Sequence, residues 1–402
     1  MPRIYGETAA PRARPKPPAA KGAKRRKLLL YVHVPFCKSR CRYCSFHSQS
    51  FNQVTFAWYL RTLLAEIELW GRRLNRPTIQ TLYFGGGTPS LIPLPQLSRV
   101  FEALHRAFEF EPGLEASLEV NPDSGQDAAY FRGLLSLGVN RLSIGLQSLA
   151  DEDLSRLGRP HSAAQAVEAY GLARKAGFAN LSLDLIFGLP RQRLKNWLDQ
   201  LKVVTRLKPE HISCYSLTLE PGTPLAREAE ASDLRFAGEQ EQGKMFVYGA
   251  EFLESQGYLQ YEISNFARMG FLCRHNVGYW EGRDYLGLGP SAVSTLGGRR
   301  FSNSPYMDAY DAAVRGGFVG EDFEVLDRAT QAREMLMLAL RTTKGLSLKR
   351  FARLAGADLV KTRQRLVNAL HKNGLIRISQ GHLRLTKNGL LVSNSIVEKL
   401  AF

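Results

Sequence analysis

From residue 28 to about 218 the chain alternates six short apolar strand patterns with amphipathic helical ones, and this rhythm limits the folds open to it. The strand patterns are Leu28–Pro35, Ile79–Phe84, Ala116–Val120, Arg141–Leu146, Leu181–Phe187 and His211–Leu217. Helical periodicity marks residues 54–70, 95–108, 126–137, 162–176 and 193–206. Such alternation predicts a parallel sheet joined by right-handed crossovers. Six units are too few for an eightfold barrel and too many for one mononucleotide-binding half. The expected fold is therefore α/β, a partial, splayed (β/α)6 barrel rather than a doubly wound open sheet. Binding sites in sheets of this kind form at the carboxyl ends of the strands.

The polar signatures fall at those ends. Strand one runs into Cys37, Cys41 and Cys44, and strand two into Phe84-Gly85-Gly86-Gly87-Thr88-Pro89-Ser90. Strand three ends in Glu119-Val-Asn-Pro122, strand four in Gly145-Leu-Gln147-Ser, and strand five carries Asp184 before Phe187-Gly-Leu-Pro190. Each alone is ordinary turn chemistry. Five in register on one rim are hard to obtain by accident. A glycine run lets a backbone approach a ligand closely, though it also makes a plain tight turn. Glu119, Gln147, Arg159 and Asp184 suit a zwitterionic, ribose-bearing cofactor: acceptors for its amino group and hydroxyls, Arg159 for its carboxylate. Singly, each is equally a surface or capping residue, and Asp151 reads as an N-cap.

The three cysteines form a C-x3-C-x2-C run with no fourth cysteine beside it. Thiolates favour zinc or iron–sulfur clusters over hard cations. A [4Fe–4S] cluster normally takes four cysteines. Three leave one iron open to a small molecule. Structural zinc remains the other reading, because His47 completes a C-x3-C-x2-C-x2-H set able to close a tetrahedron.

At 402 residues the chain has room for a large domain and a small one. Five cysteines without a disulfide framework, no secretory segment, and no apolar run of the roughly 18–20 residues that span a bilayer predict a soluble cytoplasmic protein. Residues 1–27 hold nine Lys/Arg against the single acid Glu7, nearly half of the net charge of +17. They are rich in Pro and Ala and lack periodicity, so they read as a disordered basic tail, either solubilising or touching anionic surfaces. The remaining charge is spread out, and no specific nucleic-acid partner is expected.

Residues 28–220 form the predicted β/α core. Residues 221–325 read as a covering region with a charged helical stretch (about 232–256), the strand-like Tyr258–Ile263 and the Gly-rich 285–292. From 326 to 402, helical patterns at Thr330–Arg341, Leu348–Ala355 and Leu359–Asn373 precede short strands Leu375–Ile378 and His382–Leu385. These predict a small winged-helix-like domain.

Together the run Tyr31-x-His33-x-Pro35-Phe36-Cys37-x3-Cys41-x-Tyr43-Cys44 and the strand-end signatures resemble the radical S-adenosylmethionine (SAM) superfamily. The resemblance spans about residues 28–400 and is closest to the oxygen-independent coproporphyrinogen III oxidase-like proteins. It implies a radical SAM barrel in which Cys37, Cys41 and Cys44 hold a [4Fe–4S] cluster. The open iron would chelate SAM, whose sulfonium is split by one electron into methionine and a 5′-deoxyadenosyl radical. It also implies that Tyr31, Tyr43, Gly86, Gly87, Thr88, Glu119, Gln147, Arg159 and Asp184 bind SAM. His33 is expected to position the cluster loop.

Two departures set the branch. Porphyrinogen-oxidising members carry a further cysteine where this chain has Phe46, and a longer segment ahead of the cluster. Cys273-Arg-His275-Asn276-Val-Gly-Tyr279-Trp280 instead looks like the H-N-x-x-Y-W signature of the haem chaperone (HemW-type) branch. Its imidazole can ligate iron beside two aromatics able to pack on a porphyrin. Judged by its residues alone, His275 is also an ordinary structural histidine. The branch implies haem at His275, Asn276, Tyr279 and Trp280, with Cys273 a second conceivable ligand. It further implies delivery to haem-dependent enzymes, including membrane-associated respiratory proteins, an electron donor such as flavodoxin or ferredoxin, and a homodimer among the assembly states. His105, His371 and His382 read as helix-face or surface residues. The competing function is an oxygen-independent coproporphyrinogen III dehydrogenase. A zinc-stabilised nucleic-acid binder is the third.

Overall fold

The computed structural model describes residues 26–124, 127–231, 236–317 and 320–401, without the side chains of residues 321 and 322. The expected basic tail lies outside them except for Arg26 and Lys27, and Lys27 already opens the first strand. Its ammonium pairs with Glu111 at 2.6 Å.

Six parallel strands occupy the predicted places: β1 (Lys27–Val34), β2 (Thr78–Gly86), β3 (Glu109–Val120), β4 (Arg141–Gln147), β5 (Leu181–Phe187) and β6 (His211–Ser216), adjacent in that order. Between them run α1 (Gln53–Arg73), α2 (Leu94–Ala107), α3 (Ala128–Ser136), α4 (Ala163–Ala176) and α5 (Leu194–Arg206). Their ends follow local chemistry. Asn52 caps α1 by accepting from Thr55 N, and Ser162 with Gln165 forms a capping box on α4. Gly177 ends α4 in the left-handed region (φ 112°). Asp151 caps in a different way from the one expected. It is the first residue of a short helix, Asp151–Arg156, and its carboxylate takes the N–H of Ala163 at the start of α4, 2.7 Å away.

The strands bury opposite faces differently. Leu30, Val32, Leu82, Phe84, Leu118, Ile144, Leu183 and Ile212 point outward into one apolar core under the helices. The alternate positions point into the lumen and are largely polar: Thr81, Glu115, Ser117, Arg141, Ser143, Ser182, His211 and Ser213 are all buried. Period-2 geometry makes the separation complete.

A seventh parallel strand, β7 (Tyr285–Leu288), lies against β1, with Leu29 opposite Tyr285. Short antiparallel strands 293–296, 299–302 and 321–325 extend that edge, and 265–267 and 259–260 extend the edge beyond β6. Residues expected to cover the sheet thus lengthen it. Four residues with an internal glycine carry no period-2 signal, which is why the sequence predicts no strand there. Gly287 is needed there, since a Cβ would sit 2.3 Å from the Val293 carbonyl oxygen. The two ends of the strand order do not meet, so among the described residues the sheet is an open barrel.

A second apolar core, including Leu336, Leu340, Phe351, Val367, Leu383 and Leu400, organises residues 328–400. Its sheet orders Leu346–Ser347, His382–Leu385 and Ile376–Ser379 side by side, with the 382–385 strand central. The helix expected over 359–373 breaks at Arg363 into Leu359–Thr362 and Gln364–Lys372.

Candidate cluster, cofactor and haem site

The cysteine loop is pinned at its base and again at its middle. Phe36 and Cys37 pair with Gln49 and Ser50, and Phe36 packs edge-on against Phe51, Phe56 and Tyr59 with centroids 5.3–5.8 Å apart. Arg42 accepts from Leu225 N and donates to Leu157 O, each at 2.9 Å. Cys37, Cys41 and Cys44 are half-buried, and Thr88 Oγ1 donates to Cys37 Sγ at 3.6 Å. Burial pushes the Cys41 and Cys44 thiols up. Metal binding would draw off those protons.

His33 ties the loop to β1. Its Nε2 lies 3.3 Å from the His47 carbonyl oxygen, which can only accept, so Nδ1 accepts from Tyr31 Oη at 3.1 Å. Burial lowers this imidazole to about 4 and keeps it neutral. The glycines serve the same packing. A Cβ on Gly86 (φ 112°) would meet the His33 ring at 2.6 Å, and one on Gly87 the Phe36 carbonyl oxygen at 2.5 Å. The triplet lets β2 close on the cysteine loop.

Around this loop the predicted residues gather in three groups. Glu119 accepts from Tyr83 Oη (2.9 Å) and Gly86 N (3.2 Å), and burial raises its carboxyl to about 7. Arg159 Nη1 donates to Asn121 Oδ1 at 2.7 Å, while its buried Nε has no partner among the described residues. Arg159 also lies against Cys41 and Tyr43. Gln147 sits beside it with φ 63°, and a Cβ on Gly145 would strike both side chains at 2.9 Å. Asp184 is held by Ser143 Oγ (2.9 and 3.1 Å) and Ser182 Oγ (3.1 Å). Tyr83 and Asn121 complete these contacts. The sequence reading left them out, although their inward register on β2 and just past β3 is a usable signal.

Three soft thiol donors on one rigid loop, beside an orphaned guanidinium nitrogen, fit an iron–sulfur cluster with an anionic ligand at its open iron. Among the described residues no three His, Cys, Asp or Glu side chains converge on one metal ion.

The H-N-x-x-Y-W run forms a helix, Arg274–Trp280, packed against the sheet so that its two ends have different surroundings. Glu115 receives Arg274 N and His275 N at 3.0 and 3.1 Å and the Cys273 thiol at 3.7 Å. His275 is 1% exposed. Its Nδ1 meets Thr81 Oγ1 at 2.8 Å, and its ring stacks on Tyr83 (5.1 Å) and against the edge of Tyr279 (4.7 Å). Burial lowers it to about 3, so it is neutral, and its Nε2 is buried with no partner among the described residues. Cys273 is also buried, its thiol pushed up to about 12. Asn276 is half-buried.

One cavity of about 1410 Å³ opens beside this helix. Tyr31, Gly86 and Glu119 line it from the cofactor side, Tyr279 and Trp280 from the helix, and Arg350, Arg353, Met335, Met337 and His382 from the C-terminal domain. His275 and Cys273, expected as haem ligands, stand behind this wall. The wall also includes His382, which the sequence reading left on the surface. The volume exceeds the roughly 300–1,000 Å³ of ordinary small-molecule sites.

Fold and loop together set the class: an α/β, barrel-like parallel sheet carrying a three-cysteine loop on its first strand end. The Radical SAM superfamily profile matches residues 31–203, and the HemN C-terminal domain profile residues 326–392. The chain is 34% identical over 368 residues to the heme chaperone HemW of Bacillus subtilis (strain 168), covering 91% of this chain and 97% of that protein. It is 31% identical over 381 residues to the heme chaperone HemW of Haemophilus influenzae, covering 92% and 97%. The solved structure of coproporphyrinogen III oxidase (HemN) from Escherichia coli, a radical SAM enzyme, superposes with a TM-score of 0.82 and 26% identity over 94% of this chain and 90% of that one. The chain belongs to the radical SAM superfamily, in the oxygen-independent coproporphyrinogen III oxidase-like family and its haem chaperone branch.

Proposed function

We propose that this chain is a cytoplasmic haem carrier built on a radical SAM scaffold. It binds haem, a [4Fe–4S] cluster and SAM, and delivers haem to haem-dependent enzymes, membrane-associated respiratory ones among them. The observation that carries this reading is a single cavity lined both by cofactor-side residues (Tyr31, Gly86, Glu119) and by the aromatic pair Tyr279 and Trp280. The name of the Bacillus and Haemophilus relatives supports it. When bound, the cluster supplies one electron to the sulfonium of SAM. In this reading Cys37, Cys41 and Cys44 hold the cluster. Arg159 takes the SAM carboxylate, Glu119, Gln147 and Asp184 its amino group and hydroxyls, and Tyr31, Tyr43, Gly87 and Thr88 shape the pocket. Tyr279 and Trp280 offer flat apolar faces to a porphyrin. His275 holds the motif helix in place through Thr81 and the Tyr83 ring. A flavodoxin- or ferredoxin-like protein supplies the electron.

Anaerobic reconstitution tests this. Iron and sulfide in near-equal amounts, a Soret band on haem addition and a clear affinity loss in Trp280→Ala are expected. A chain that holds iron and sulfide but gives no Soret band overturns the reading.

The likeness to coproporphyrinogen III oxidase favours a second reading, a porphyrinogen dehydrogenase. Against it stands Phe46, 66% exposed, where the oxidising members carry a cysteine. Protoporphyrinogen formed anaerobically from coproporphyrinogen and SAM would reverse the order of the two.

A further inference from the structure

We propose that the C-terminal domain supplies the polar half of the haem site: His382 as axial ligand through Nε2, and Arg350 and Arg353 as partners of the two propionates. The inference rests on the haem-binding reading and deepens it by naming residues outside the H-N-x-x-Y-W motif.

The domain is fastened directly beside that motif. Lys344 Nζ meets Glu281 Oε1 at 2.8 Å, one residue past Trp280, and Thr343 N donates to Tyr261 O at 3.1 Å. Three residues beyond Lys344, Ser347 pairs with His382 across the sheet. His382 opens the central strand, between Ser347 and Ser379. A ligand on such an element needs little reorganisation to bind.

The imidazole is also in the right tautomer. His382 Nδ1 lies 2.9 Å from the Gln380 carbonyl oxygen. A carbonyl only accepts, so Nδ1 carries the hydrogen and Nε2 keeps its lone pair. Metal-bound histidines are oriented in this way, by a backbone carbonyl on the far nitrogen. His382 lines the cavity. The other candidates are less well placed. His33 uses both nitrogens, and the Nε2 of His275, without a partner among the described residues, is buried. His47 lines the cavity from the cluster loop.

That pair stands one helical turn apart on Leu348–Ala355, the helix that starts at His382's strand neighbour Ser347. Arg350 and Arg353 are exposed and both line the cavity. Among the described residues neither guanidinium has a hydrogen-bond or ion-pair partner, and only their backbone groups are engaged, with Ser347 and Arg328. Two free guanidiniums suit two carboxylates, each in a bidentate pair.

The test uses the full chain, reconstituted anaerobically and titrated with ferric haem, read by absorption and magnetic circular dichroism. His382→Ala should lose the histidine-ligated spectrum and weaken haem binding by about tenfold or more, at least what loss of a ligand's outer-shell partner costs. Exogenous imidazole should restore the wild-type spectrum. His47→Ala should leave it unchanged. Arg350→Ala/Arg353→Ala should weaken haem binding but bind haem dimethyl ester, which lacks the carboxylates, as the wild type does. A wild-type spectrum in haem-loaded His382→Ala, or a shifted one in His47→Ala, overturns the ligand assignment. Equal loss of haem and of its ester in the arginine variant overturns the propionate assignment. A wild-type chain with no Soret band overturns the haem reading itself.

Discussion

The barrel lumen and the C-terminal wall of the cavity both present polar side chains, but under opposite conditions. In the lumen they are buried, and many are bonded to one another. Ser182 Oγ meets His211 Nδ1 at 2.8 Å, His211 Nε2 meets Tyr261 Oη at 2.9 Å, and Glu115 gathers three donors from residues 273–275. On the C-terminal wall Arg350 and Arg353 are exposed, and among the described residues nothing bonds to their guanidiniums or to His382 Nε2. A polar group out of water needs a partner, and a group so partnered fixes geometry. A polar group left in water has its bonding capacity free for a ligand. His275 and His382 each keep Nε2 without a partner among the described residues, and burial is what separates them: His275 belongs to the scaffold and His382 to the cavity wall, the reverse of what sequence motifs alone imply.

The largest effect should come from the lumen. Arg141 is fully buried, with Nε and Nη1 unpartnered among the described residues, and Glu115 and the Cys273 thiol lie near it. Glu115→Ala removes the carboxylate that balances this charge and strands two backbone N–H groups of the motif helix. Breaking a buried charge arrangement of this kind costs about 3–5 kcal/mol. Urea unfolding of the apoprotein measures it. A loss under about 1 kcal/mol would show that the lumen network does not hold the helix, and the contrast drawn above would fail.

Glu66 sharpens the rule that buried groups need partners. It is 0% exposed and accepts from Gly289 N (2.7 Å), Asn303 Nδ2 (2.7 Å) and Tyr310 Oη (2.6 Å). Burial outweighs these donors and raises its carboxyl from 4.5 to about 7. The folded chain therefore holds a proton between those values that the unfolded chain has released. Stability falls as pH rises through that window, by up to about 1.4 kcal/mol per pH unit, and levels off above it. Glu66→Gln cannot titrate. The wild type should thus lose stability relative to this variant between pH 5 and 7, and the difference should stay constant above. A difference that does not change across pH 5–8 would mean that the carboxylate is ionised throughout.

How much was legible follows from the same physics. β1 to β6 and α1 to α5 were readable because each strand keeps an apolar outer face and each helix an apolar stripe. β7 was not, since Tyr285-Leu-Gly-Leu is too short for a period and its pairing with Leu29 is non-local. The rim residues Cys37, Glu119, Gln147 and Asp184 were readable because strand ends collect them. Inward alternation in Glu115-x-Ser117-x-Glu119 and Arg141-x-Ser143-x-Gly145 was visible but went unused. Parallel strands buried on both faces normally read as continuous apolar runs, so that polar period-2 pattern already announces a polar lumen. His275 could not be placed behind the cavity wall from its motif, because a seven-residue helix does not reveal which end meets the sheet. His382 was lost for a related reason. Its value lies in a hydrogen bond to Gln380 and a strand partner 35 positions earlier in the chain, Ser347.

The smallest expected effect tests the other half of the comparison. The Arg353 side chain is exposed and, among the described residues, its guanidinium has no partner, while Arg328 Nη2 donates to its backbone oxygen at 2.9 Å. Arg353→Ala keeps that carbonyl and replaces a helical residue with the best helix former. Its effect on the urea midpoint of the apoprotein should stay within about 0.5 kcal/mol, the range of surface substitutions that break nothing. The same variant should still bind haem less tightly, with a shallower dependence on salt, because one screened charge pair is gone. Stability and ligand affinity then separate at this residue, whereas at Glu115 they should fall together through the motif helix. If Arg353→Ala instead destabilised the apoprotein by more than 1 kcal/mol, its guanidinium would be holding the fold, and the division between a bonded lumen and a free cavity wall would have to be redrawn.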